Sequence, residues 1–285
     1  MRTSALPATE SANGVDVRIS RVPGKPLILL VRMASREMGV WETVWEPLCE
    51  HFTVAQFDLR LPSLDALNDP AAAFGSLAEH CVRVANALGF AHFHMLGWTG
   101  GAHIALRCAV DHPDAVRSCT LVSPFYPLPD MRSVEKGIEF MQTLMEHGVR
   151  ELYSYYWFMS GLSPNFLQSR FDSVAGMVQA RMSGDRFIKA DTTRAIQWIR
   201  ALRGFWIDAT ALEKLRTPIL IVGPGLDCGF VGPSSEMASR LHAAIPGSEL
   251  ALADGYASLF LLEAPEVFVR LSKPFFERVT GPQSG

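Results

Sequence analysis

The feature that most limits how this chain folds is an alternation, from residue 15 onward, of short apolar runs with longer amphipathic ones. "FTVAQFDL" (52 to 59), "FHMLGW" (93 to 98), "SCTLVSP" (118 to 124), "PILIVGPG" (218 to 225) and "SELALAD" (248 to 254) form a series of strand-like runs, and "KPLILLV" (25 to 31) is continuously apolar after its lysine. Strands covered on both faces look like this, because a helix on each side leaves no solvent face to make polar. "VDVRISRV" alternates instead, as an exposed strand does. "SLAEHCVRVANALG" (76 to 89) carries its apolar residues at helical spacing and closes on Gly89. The pattern predicts an α/β fold with a mostly parallel sheet, its strands joined by crossover helices. The first dozen residues and the closing "TGPQSG" are expected to be disordered.

Between Pro127 and about Asp208 the strand pattern stops. "MRSVEKGIEFMQTLMEHG", "RELYSYYWFMSG" and "TTRAIQWIRALRGFW" are helical in period and rich in Met, Tyr, Phe and Trp. An insertion of this kind needs a surface to pack on, and the carboxyl edge of a parallel sheet, where ligands bind, is the natural seat. The expected organisation is a core of residues 1–126 and 208–285 with a helical cap over 127–207. Tyr155, Tyr156, Trp157 and Trp206 would give the cap an apolar lining.

Composition removes several function classes. With 285 residues, 48% of them hydrophobic, the chain can bury a full core. A net charge of -3 and the lack of a dense Lys/Arg run argue against a nucleic-acid partner. The five cysteines are odd in number and widely spaced, with no zinc-type cluster. There is neither a signal-peptide core nor an apolar stretch long enough to cross a bilayer. These features predict a cytoplasmic protein with no membrane partner and no metal or cofactor, and the aromatic cap implies a hydrophobic small molecule as its ligand. They do not set its oligomeric state.

One motif carries the chemistry. In "LGWTGG", Gly97 and Gly101 flank Thr99 at two residues on either side, the spacing of a nucleophile elbow with threonine at its centre. The chain resembles a capped, single-domain α/β-hydrolase over roughly residues 15 to 278. The landmarks are "PLILLV" followed by Trp41, "CEHFTVAQFDLR", "GWTGG", "TPILIVGPGLD" and "ADGYASLFLLEAPEVF", in that order. The resemblance implies a nucleophile position at Thr99 and an acid position at Asp227. It puts the histidine position at Ser258, five residues before Glu263. The oxyanion "HG" pair falls on Val31 and Arg32, followed by Met33. Met33, Trp98 and Gly100 would border the site, with Trp157 and Trp206 facing it from the cap.

Thr99 keeps a hydroxyl, but its β-branched side chain sits where the elbow demands a strained backbone. Ser258 cannot accept a proton as imidazole does, and none of the eight histidines lies in the 250s. His103 is expected on the helix after the elbow, partly exposed; His147 belongs to the cap. Asp227 is either a turn residue or a pocket acid or base. Arg32 is either a surface cation or a guanidinium in the cleft, suited to an anionic or enolisable ligand. These replacements predict a non-hydrolytic enzyme of the cyclase, isomerase or lyase type. The alternatives are a ligand-binding pseudoenzyme, or an esterase-like hydrolase or acyltransferase using Thr99.

Overall fold

A computed structural model describes residues 7–32, 39–57, 59, 63–183, 201, 207–226 and 233–281. Its centre is an eight-stranded sheet in the order β1-β2-β4-β3-β5-β6-β7-β8. The strands are β1 Ala8–Ala12, β2 Val15–Ser20, β3 Leu27–Arg32, β4 Thr53–Phe57, β5 Phe93–Trp98, β6 Val116–Val122, β7 Ile219–Pro224 and β8 Glu249–Ala253. β1 and β2 pair antiparallel with each other, and β2 antiparallel with β4. Every later pairing is parallel. All residues of β3, β5 and β7 are buried, which accounts for their unbroken apolar sequence.

Two boundaries differ from the sequence expectation. Residues 8–12, expected to be disordered, form edge strand β1. It folds back on β2 through Asn13-Gly14, with Asn13 at φ 50, and Asn-Gly favours such hairpins. Helix α2 spans Pro70–Ala87, starting six residues before the periodic stretch, because the Asp69 carboxylate accepts from the Ala72 N–H and Pro70 fits the first turn.

Helices cover both faces. α2 and α3 (Gly100–Asp111) pack with α9 (Ser234–Ala244) against Leu27, Leu29, Val31, Met95 and Leu121. α1 (Glu42–Cys49) and α11 (Pro265–Thr280) cover the other face, around Ile28, Leu30, Leu96, Trp98 and Val222. Each large apolar side chain buried this way stabilises the fold by about 1.5–3 kcal/mol before entropy is counted.

Between β6 and β7 the chain forms α4 (Arg132–Glu146), α5 (Arg150–Gly161), α6 (Pro164–Ser169), α7 (Phe171–Ser183) and α8 (Ala209–Lys214). Among the described residues there is no strand in this stretch. Phe158 and Leu162 at the end of α5, with Val174 and Val178 of α7, belong to the same apolar cluster as Trp98, Val122 and Leu259. The helical stretch is thereby packed on the carboxyl edge of the sheet. α4 shares a smaller cluster with Tyr153 and Met237.

Candidate active site

Thr99 occupies the turn between β5 and α3. Its backbone has φ 49 and ψ -114, a conformation that costs a β-branched residue about 1–3 kcal/mol. Two bonds hold the turn: the Thr99 N–H donates to the Val122 carbonyl at 2.9 Å, and the Ala102 N–H to the Thr99 carbonyl at 3.0 Å. The flanking glycines are required by space. A Cβ on Gly97 would lie 2.4 Å from the Gly101 carbonyl oxygen, and one on Gly101 2.1 Å from the Val31 carbonyl oxygen. The end of β3 is thus pressed against the first turn of α3.

Thr99 is half-buried, and its hydroxyl does not cap α3. Gly100 is buried and, as the first residue of that helix, has no preceding turn to receive its N–H. Arg32 ends β3 opposite Trp98 in the sheet register and is only 9% exposed. Strand alternation puts Arg32 on the same face as Ile28 and Leu30. Trp98 is buried, with its indole N–H unpartnered among the described residues, and its ring meets Trp157 of α5 edge-on at 6.3 Å between centroids.

The other strand ends converge on the same edge. Gly225 and Leu226, just past β7, donate their N–H groups to the carbonyls of Ala253 and Tyr256, each at 2.9 Å. Ser258, on the loop between β8 and α10 (Phe260–Glu263), is 6% exposed. Its carbonyl accepts from the Ser123 hydroxyl at 3.0 Å. Ser123 follows β6 directly and has a positive φ of 45. Asp227, Met33 and Trp206, the remaining site residues read from the sequence, lie outside the described residues.

The histidines depart from expectation. His103 is buried, not partly exposed, and its Nε2 lies 2.7 Å from the Phe125 carbonyl oxygen. A carbonyl only accepts, so Nε2 carries the proton and donates. Burial pulls the His103 pKa down to about 4, against the Phe125 hydrogen bond, which acts the other way. His103 is therefore a neutral pin between α3 and the chain leaving β6. His147 is exposed at the end of α4. Among the described residues no group of three or more His, Cys, Asp or Glu could hold a metal ion, and no helix is long and apolar enough to cross a membrane.

Sequence reasoning missed two polar residues here. One is Ser123; the Ser-Pro that ends "SCTLVSP" was its only signal. The other is Glu263, taken as a landmark alone. Its carboxylate accepts from the Ser163 hydroxyl at 2.7 Å, the Ser163 N–H at 3.2 Å and the Ala257 N–H at 3.4 Å. Burial raises its pKa above the usual glutamate value, with those three bonds opposing.

The fold recurs in solved structures. A thermophilic esterase from Thermogutta terrifontis superposes with a TM-score of 0.73 at 15% identity, over 96% of this chain and 99% of that one. The chain has the α/β-hydrolase fold. A second α/β-hydrolase match is 2-hydroxy-6-oxo-6-phenylhexa-2,4-dienoate hydrolase from Rhodococcus sp., with a TM-score of 0.72 at 15% identity over 93% of this chain and 94% of that one. By sequence, the chain is 30% identical over 114 residues to a fluoroacetate dehalogenase from Burkholderia sp.. That match covers 38% of each, so the chain aligns with well under half of the relative's length. No family model matches the sequence. These likenesses correct the expectation of non-hydrolytic chemistry: the proteins this chain resembles are named a hydrolase, an esterase and a dehalogenase.

Proposed function

We propose that this protein is an esterase-like hydrolase or acyltransferase that acts on hydrophobic small molecules through Thr99. The observation that carries the reading is the Thr99 backbone. Its positive φ at the head of α3 holds a β-branched residue in a costly conformation whose recognised use is to present a nucleophile. The esterase and hydrolase names among proteins of the same fold support the same class.

In this mechanism Thr99 Oγ1 attacks the ester carbon and the leaving alkoxide departs, giving an acyl-threonine. Water hydrolyses it, or a second alcohol takes the acyl group. Of the residues at the three triad positions, only Asp227 carries a group that accepts a proton at neutral pH. It is assigned as the base that takes the threonine proton and returns it to the leaving group. The Gly100 N–H is the oxyanion donor. Arg32 favours substrates with a carboxylate or an enolisable carbonyl. The helices between β6 and β7 act as the cap, with Trp157 bordering the acyl site and Trp98 facing it from the sheet.

A panel of nitrophenyl esters, with and without a terminal carboxylate, and a fluorophosphonate probe test this reading. Wild-type protein is expected to turn over at least one ester, to be labelled on Thr99, and to lose both properties in Thr99→Ala. Turnover that survives Thr99→Ala would overturn the assignment. Absence of turnover and labelling across the whole panel would leave a binding protein.

A further inference from the structure

Three successive residues at the candidate site, Ala257, Ser258 and Leu259, each bond out of their own loop. The Ser258 carbonyl takes the Ser123 hydroxyl from the end of β6. The Leu259 N–H donates to the Gly161 carbonyl at the end of α5, at 2.7 Å. The Ala257 N–H reaches Glu263 Oε1, while Glu263 Oε2 holds both the hydroxyl and the N–H of Ser163, the residue that caps α6. The packing is equally close: a Cβ on Gly161 would fall 2.5 Å from Leu259 Cγ and 3.2 Å from Ser258 Oγ. Ala257, Ser258 and Leu259 are all buried, as are Gly161, Leu162 and Ser163 opposite them.

We propose that Ser123 and Glu263 form a two-sided clamp on residues 257–259, acting as positioning residues that fix this loop at the carboxyl edge of the sheet and fasten the α5–α6 junction to it. Ser123 works from below. It adopts a left-handed backbone that serine rarely takes, and its hydroxyl is buried on the Ser258 carbonyl. Besides Thr99 and Asn13 it is the only residue other than glycine with positive φ among the described residues. Thr99 and Ser123 end neighbouring strands, tied by the bond from the Thr99 N–H to Val122, the residue before Ser123.

Glu263 works from above. One carboxylate takes three donors from two separate segments, so residues 257 and 163 cannot part without leaving a buried polar group unpaired. The consequence is a fixed end to the helical stretch.

The clamp itself is tested by residue-resolved amide exchange on the full-length protein, which needs no substrate. Only the turnover arm rests on the hydrolase reading. In Glu263→Gln, the Ala257 and Ser163 amides are expected to exchange about tenfold faster together, while the Ala102 amide in the elbow keeps its rate. Ser163→Ala, which deletes a single hydroxyl and should fold in any case, is expected to accelerate the same pair less, and Ser163→Thr to restore it. Ser123→Ala is expected to accelerate Leu259. In nitrophenyl ester turnover, Glu263→Gln is expected to lower kcat about tenfold with KM little changed, since the clamp orients the site without touching ligand.

Unchanged Ala257 and Ser163 exchange in both Glu263→Gln and Ser163→Ala would overturn the clamp. Faster exchange with unaltered kcat would overturn its positioning role. A wild type inactive toward every ester would refute the hydrolase reading, and the exchange rates would still decide the clamp.

Discussion

The elbow after β5 and the loop after β8 lie on the same edge of the sheet and are held in different ways. The elbow is fixed by backbone: a left-handed Thr99, and glycines whose missing Cβ atoms let β3 and α3 touch. The loop is fixed by side chains as well as backbone bonds: the hydroxyl of Ser123 just past β6 and one carboxylate shared with the α5–α6 junction add to the bond from the Leu259 N–H to the Gly161 carbonyl. A turn built from close backbone contact tolerates no added atom. A loop held by buried polar side chains is in addition sensitive to lost partners.

The sharpest way to break this contrast is Gly101→Ala. Its Cβ would sit 2.1 Å from the Val31 carbonyl oxygen, so the variant is expected to lose about 3 kcal/mol or more, or not to fold. Urea unfolding measures this, and a near-neutral result would mean that β3 can retreat from α3 without cost.

Acid stability comes next. His94 on β5, buried against the Ser118 hydroxyl at 2.7 Å, and His103 are both held by burial at pKa values of about 4. Unfolded, each titrates near 6.5. Between those values the unfolded chain binds protons that the folded one refuses, so stability falls as pH drops from about 6.5 toward 4, by at most ~1.4 kcal/mol per pH unit for each group. His103→Gln keeps a donor for the Phe125 carbonyl and is expected to flatten the profile. An unaltered slope would show that this pin beside the elbow does not stay neutral.

A smaller effect separates the two regions directly. Thr99→Gly relieves the left-handed strain and is expected to stabilise the protein by about 1 kcal/mol net of glycine's added chain entropy, while abolishing ester turnover. In the loop, Ser258→Ala is expected to change stability by less than about 0.5 kcal/mol, because its clamp bond is made by the backbone carbonyl. A loss in Thr99→Gly as large as that in Gly101→Ala would remove strain from the account of the elbow.

The smallest expected effect has the opposite pH sign. Glu263 has a raised pKa in the fold, so in the window above the ordinary glutamate value the folded chain keeps a proton that the unfolded chain has lost. Its contribution is complete below that window and is lost as pH rises through the raised value. Glu263→Gln should lack this slope.

The sheet was largely legible in the sequence because buried parallel strands leave little freedom in composition. β1 was not, since "ATESA" is polar and only the Asn-Gly turn marked it. The elbow was legible for the same reason that it is rigid: glycine at 97 and 101 is a steric requirement that survives in the text. The clamp was not, because its bonds join residues 135 and 100 apart. No local pattern records a serine that meets a loop across the sheet. The burial of His103 is not legible, because helical spacing alone does not say which face turns inward, and the helix it sits on is buried on nearly all sides. Arg32 follows the alternation of β3 inward, and that alternation extends one residue further than its apolar run.

The edge-on contact between Trp98 and Trp157 supplies a built-in optical gauge. One indole belongs to the central sheet and the other to α5, with planes at 83° and centroids at 6.3 Å. Two such chromophores, locked at fixed separation and tilt, couple their transitions and give an asymmetric near-ultraviolet dichroism that vanishes when either ring turns freely. The signal can therefore follow lifting of the helices from the sheet in real time, without dye, label or substrate. Replacing Trp157 with phenylalanine provides the blank.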